Sequence, residues 1–225
     1  MAAPLEAREH RVPLGEREVS ALWLRPRGAV AALALAHGAG AGMRHPFLEG
    51  LAQALAAADV ASLRYQFPYM EAGRRYPDRP PLATATVRAA VAATKKLARG
   101  LPLLAGGKSF GARMSSQAAA DGGLESALGL VFFGFPLHPP GKPGSERAAH
   151  LERVGQSMLF LQGTRDAFAD LDLLAPVCRR LGDRATLHVV DGADHGFAVP
   201  RRSGRAAPDV LGELAAATRR WIAGL

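Results

Sequence analysis

At 225 residues and 48% hydrophobic composition, the chain can bury a sizeable core and is too apolar for disorder. Its net charge of +8 comes mainly from arginines set singly or in pairs such as Arg74-Arg75 and Arg219-Arg220, with no interleaved aromatics, so no nucleic-acid partner is expected. No early apolar run approaches the ~20 residues a bilayer span needs, residues 1–10 hold no signal-like segment, and the single Cys178 excludes an intrachain disulfide, so a cytoplasmic protein without membrane association is expected.

In chain order, residues 18–24 alternate apolar and polar and predict an early strand, suited to a hairpin. Residues 29–36 form a continuous apolar run ending at His37-Gly38-Ala39-Gly40, the pattern of a strand buried on both faces. A helix over 46–58 follows, with proline in its first turn, then a strand over 60–65. Residues 67–81 are rich in Pro, Arg and Tyr and predict a loop, and 82–99 a helix. A strand over 101–105 leads into Gly106-Gly107-Lys108-Ser109-Phe110-Gly111 and a helix to about residue 120. A strand over 127–133 precedes residues 134–150, whose four prolines predict an irregular excursion too short to be a domain, at most a minimal cap. A strand over 157–161, a helix over 170–181 with a kink expected at Pro176, a strand over 186–190 and a closing helix over 208–223 complete the chain. Alternation at this spacing predicts one α/β domain over residues 1–225, with a mostly parallel central sheet flanked by helices. Ligands of such sheets bind at the carboxyl ends of the strands.

The segment Gly107-Lys108-Ser109-Phe110-Gly111 matches G-x-S-x-G between a strand and a helix. Glycines there let a sharp turn lift a serine above the sheet, at a helix N-terminus that favours developing negative charge. Ser109 is therefore the candidate nucleophile, against the plainer role of helix cap. A phosphate loop is rejected, because Pro102 stands where its first glycine belongs.

A serine hydroxyl needs a base, and the base needs an orienting carboxylate. His195 follows the last strand and is the candidate base. Asp166 directly follows the strand before it and is the candidate acid, with Asp170 as competitor. Asp191 and Asp194 suit turn formation around His195. His188 reads as structural, and His10, His45 and His150 have no context. The candidate oxyanion donors are the backbone N–H groups of Phe110 and Ala39, with Gly40 as alternative and His37 as a brace for the loop. Tyr65, Phe67, Tyr69, Phe110, Phe135 and His138 are candidate lining residues, and Lys108 could draw acidic substrates. No metal-ligand spacing occurs and no cofactor is expected, so a chelator should leave activity unchanged.

Together, His37-Gly38-Ala39-Gly40, Arg64-Tyr65-Gln66-Phe67-Pro68-Tyr69, the Ser109 turn through Ala112-Arg113, the proline-rich run from Gly134 to Pro143, Gln162-Gly163-Thr164-Arg165-Asp166 and Asp194-His195 resemble the α/β-hydrolase superfamily, in its testis-expressed-protein-thirty-like, dienelactone-hydrolase-like branch. The resemblance spans about residues 30–221, and its most specific part is the proline-rich run. It implies the α/β-hydrolase fold, with minimal or no cap, and the triad Ser109, Asp166 and His195. Dienelactone hydrolases proper carry a cysteine nucleophile, where this chain has Ser109. Two functions follow as expectations: hydrolysis of a small-molecule ester, thioester or related acyl substrate, or a catalytically silent scaffold on the same fold.

Overall fold

The computed structural model describes residues 4–225. Eight strands form one sheet: β1 (Arg8–Leu14), β2 (Arg17–Leu24), β3 (Ala31–Ala36), β4 (Val60–Tyr65), β5 (Leu103–Lys108), β6 (Gly129–Phe133), β7 (Ser157–Gly163) and β8 (Ala185–Val190). Their spatial order is β1-β2-β4-β3-β5-β6-β7-β8. Pairings of β2 with β1 and with β4 are antiparallel, and the rest are parallel. The helices are α1 (Pro46–Ala57), α2 (Pro68–Glu71), α3 (Pro80–Ala98), α4 (Phe110–Ala120), α5 (Leu171–Leu181) and α6 (Ala207–Ile222).

Side-chain alternation splits the core into two layers. Ala32 and Ala34 of β3 and Phe132 of β6 face Val87 of α3, Met114 of α4 and Leu174 of α5. Leu33 and Leu35 of β3 and Leu159 of β7 face Leu51 and Leu55 of α1 and Leu214 of α6. Both faces are covered, which is why the central strands read as unbroken apolar runs. Among the described residues, no helix is long and apolar enough to cross a membrane.

Several expectations change. The strand over 18–24 does sit in a hairpin, but its partner β1 has only Val12 fully buried and so carries almost no apolar signal. The strand expected over 101–105 runs on through Lys108, its glycines packed between β3 and β6. The loop over 67–81 holds the short α2, and α3 starts at Pro80; each helix has proline in its first turn. Pro176 lies inside helix α5. The excursion after β6 carries no inserted domain. It ends in a 3-10 stretch, Glu146–Arg153, and buries Phe135, Leu137 and Leu151 in the layer under α3–α5.

Candidate active site

The turn from β5 into α4 holds Ser109 at φ 50° and ψ −110°, a conformation a non-glycine residue adopts only at a cost of roughly 1–3 kcal/mol. The turn also presses against the end of β3. A Cβ on Gly107 would fall 2.3 Å from the Ala36 carbonyl oxygen, and one on Gly111 would fall 2.5 Å from Ala36 Cβ. Glycine is therefore required on both sides of the serine. The Ser109 N–H donates to the Phe133 carbonyl at 3.2 Å, tying the turn to β6.

Ser109 Oγ lies 2.8 Å from His195 Nε2. The other ring nitrogen, Nδ1, lies 2.9 Å and 2.8 Å from the two carboxylate oxygens of Asp166. An ionised carboxylate only accepts, so Nδ1 carries the proton and Nε2 is free to accept from the serine hydroxyl. Asp166 is nearly buried. It accepts from the Phe168 N–H at 2.8 Å and from Gln162 Nε2, while Gln162 Oε1 accepts the Phe135 N–H at 3.0 Å. The His195 loop is shaped by Asp194, whose carboxylate accepts the N–H groups of Gly196 and Ala198 at 2.8 Å and 2.9 Å. The ring of Phe168 lies 4.3 Å from that of His195, centroid to centroid. Asp170, the competing acid, instead caps α5 by accepting the Asp172 N–H at 2.9 Å.

Across the site, His37 braces the loop after β3. Its Nδ1 donates to the Gly38 carbonyl at 2.7 Å and its Nε2 accepts the Phe67 N–H at 3.0 Å. Burial pushes its pKa down to about 4, so the ring is neutral. Gly40 is corrected as a donor, because its N–H is taken by Tyr69 Oη at 2.9 Å. The N–H groups of Ala39 and Phe110 have no hydrogen-bond partner among the described residues, and Ala39 borders the cavity.

That cavity has a volume of about 280 Å³ and opens beside Ser109 and His195. Its walls are mainly apolar, with Phe47 and Leu48 at the start of α1 on one side and Phe168 on the other. Of the expected lining residues, Lys108 is there, but Tyr65, Phe67, Tyr69, Phe110, Phe135 and His138 are not. Tyr65, Phe67, Tyr69 and Phe135 are fully buried. Tyr65, Phe67 and Phe110 pack edge to face at 5.6 Å and 5.2 Å in the layer under α3 and α4. His138 Nδ1 is 2.9 Å from the Pro139 carbonyl, and its Nε2 accepts the Asp170 N–H at 3.0 Å, so it staples the excursion to the start of α5. None of residues 134–150 borders the cavity.

The sequence reading missed Phe47, Leu48, Phe168 and Gln162. The available signals were position alone: the residues just after the Gly-rich loop, and those four before and two after Asp166. Two further histidines take structural roles. His45 Nδ1 accepts the Phe47 N–H at 3.2 Å as the cap of α1, and His188 lies 2.9 Å from Glu213.

A family model described as an alpha/beta hydrolase domain matches residues 29–223. Solved structures similar to this chain include a dienelactone hydrolase from Anabaena variabilis, at TM-score 0.76 and 19% identity over 99% of each chain. A serine hydrolase without a lid from Xanthomonas campestris aligns at TM-score 0.75 and 19% identity, over 98% of this chain and 97% of that one. Est1E from Butyrivibrio proteoclasticus aligns at TM-score 0.71 and 14% identity, over 96% of this chain and 99% of that one.

Proposed function

Because the chain belongs to the alpha/beta hydrolase domain family, we propose that it is a serine hydrolase of small carboxylic esters or thioesters, working through an acyl-Ser109 intermediate. One observation carries this reading: the hydrogen-bonded line Ser109–His195–Asp166 ends at an apolar cavity bordered by the unclaimed N–H of Ala39.

In the first half-reaction, His195 Nε2 takes the hydroxyl proton as Ser109 Oγ bonds to the substrate carbonyl carbon. The carbonyl oxygen becomes an oxyanion facing the N–H groups of Phe110 and Ala39, with the N-terminus of α4 adding its dipole. Asp166 holds the Nδ1 proton and offsets the charge on the imidazolium. His195 then gives its proton to the departing alcohol or thiol as that bond breaks. In the second half, water enters, His195 takes its proton, and the acid leaves with Ser109 restored. At about 280 Å³ the cavity lies at the small end of ligand sites, which favours short or single-ring acyl groups. The lone buried thiol, Cys178, favours a cytoplasmic setting.

The test is labelling with a fluorophosphonate probe, with peptide mapping, in the wild type, Ser109→Ala and His195→Ala. Labelling at Ser109 that is lost in both variants is expected. Folded wild type that takes no label would overturn the reading in favour of a silent scaffold.

A further inference from the structure

Lys108 stands between Gly107 and Ser109 at the end of β5, and its side chain runs inward rather than out to solvent. Its Nζ is buried with no hydrogen-bond partner. A Cβ placed on Gly134 would lie 2.9 Å from that Nζ, and 3.5 Å from both Asp166 Oδ2 and His195 Nδ1. The open face of Gly134 is thus the point where the ammonium, the acid and the base converge. The ring of Phe197, two residues beyond His195, closes the space at 5.5 Å from Nζ. Gly134, held at φ 71°, leaves the space beside the ammonium open.

The charged and titratable groups around Lys108 are Asp166 from the loop after β7 and Asp194 and His195 from the loop after β8. His37 and His45 share its cavity. A buried charge without hydrogen bonds acts on neighbours only through its field, and that field is strong where water is excluded. Taking the acyl-transfer chemistry above as given, we propose that Lys108 is a positioning residue for the Asp166–His195 pair, acting by charge alone, so that the ease of forming the His195 imidazolium during turnover depends on whether Lys108 carries its proton. Charged Lys108 offsets Asp166 and sets a second positive charge beside the forming imidazolium. Neutral Lys108 leaves the full field of Asp166 to the histidine.

Burial lowers the Lys108 pKa from 10.5 to about 8, against the opposing pull of Asp166 and Asp194. A second rise in kcat/KM of about fivefold is therefore expected as pH passes 8. It should be absent in Lys108→Met, whose profile reaches one plateau. A direct readout needs no substrate. The chain holds four lysines, Lys95, Lys96, Lys108 and Lys142, so lysine-labelled NMR resolves them, with Lys108 assigned by its loss in Lys108→Met or, if that variant does not fold, Lys108→Arg. Lys108 should titrate well below the other three, and lower still in Asp166→Asn, where the carboxylate that favours its charge is gone. A Lys108 signal that titrates with the others and ignores Asp166→Asn would overturn the inference, as would a second step that persists in Lys108→Met. Coupling seen by NMR in a protein inert to every ester would count against the hydrolase reading and leave the charge coupling standing.

Discussion

Gln162 joins the acid of the site to the chain after β6: its amide nitrogen donates to Asp166 and its amide oxygen accepts the Phe135 N–H at 3.0 Å. One fully buried side chain thus aims a carboxylate and satisfies a backbone donor. Replacing it with Leu should leave the fold intact but let Asp166 rotate. Rates should fall tenfold to about a hundredfold in kcat with little change in KM. The unpaired Phe135 N–H should cost about 1–3 kcal/mol in urea unfolding.

Removing the charge of the acid itself should act more severely. In Asp166→Asn the amide nitrogen can donate to His195 Nδ1 and stabilise the tautomer whose proton sits on Nε2. A loss of about 10³-fold or more in kcat/KM is expected, with near-wild-type circular dichroism. Steady-state assay of a short-chain thioester checks this.

Acid should destabilise the protein as pH falls below the ordinary histidine value. Burial lowers the pKa of His37 to about 4, and burial with Arg113 and Arg153 nearby lowers that of His150 to about 4. A histidine lowered in the folded state contributes stability that is full above its ordinary value of 6.5 and is lost as pH falls toward 4. Unfolding free energy should drop by roughly 3–5 kcal/mol across that window, discounted for the partial exposure of His150. His150→Gln should flatten the drop measurably.

The cavity wall should set acyl-chain preference. Phe47 borders the cavity and stacks on Phe197 at 5.6 Å, nearly parallel. Phe47→Ala should raise the ratio of kcat/KM for long over short acyl esters by roughly tenfold, with the fluorophosphonate still labelling Ser109. An unchanged ratio would remove Phe47 from the acyl site.

Much of this architecture was legible from local pattern. Continuous apolar runs bounded by glycines marked the central strands, and the polar residues just past β5, β7 and β8 marked the places where a parallel sheet presents its side chains. What could not be read depends on which face a side chain takes after its strand ends. Tyr65 is the last residue of β4 and points under α3, and Phe67 follows it into the same layer. Phe47 and Phe168, no more suggestive in sequence, turn toward the opening. Strand β1 was invisible because an edge strand with one fully buried side chain has no apolar period to read.

The approach of Gly107 and Gly111 to Ala36 has a consequence for how such a protein can diverge. The turn at Ser109 meets the end of β3 through the Ala36 backbone and methyl, and meets the following loop where Gly38 faces Lys108 Cγ and Ser109 Cβ; Phe47, Leu48 and Phe168 take no part in these contacts. Their separation is thus indifferent to substitutions on the cavity wall, and Phe47, Leu48 and Phe168 can vary while it stays fixed. On the proposed chemistry, a new substrate preference can arise by point mutation at the wall, whereas any residue larger than glycine at position 107 or 111 is expected to displace Ser109 and abolish turnover of every substrate.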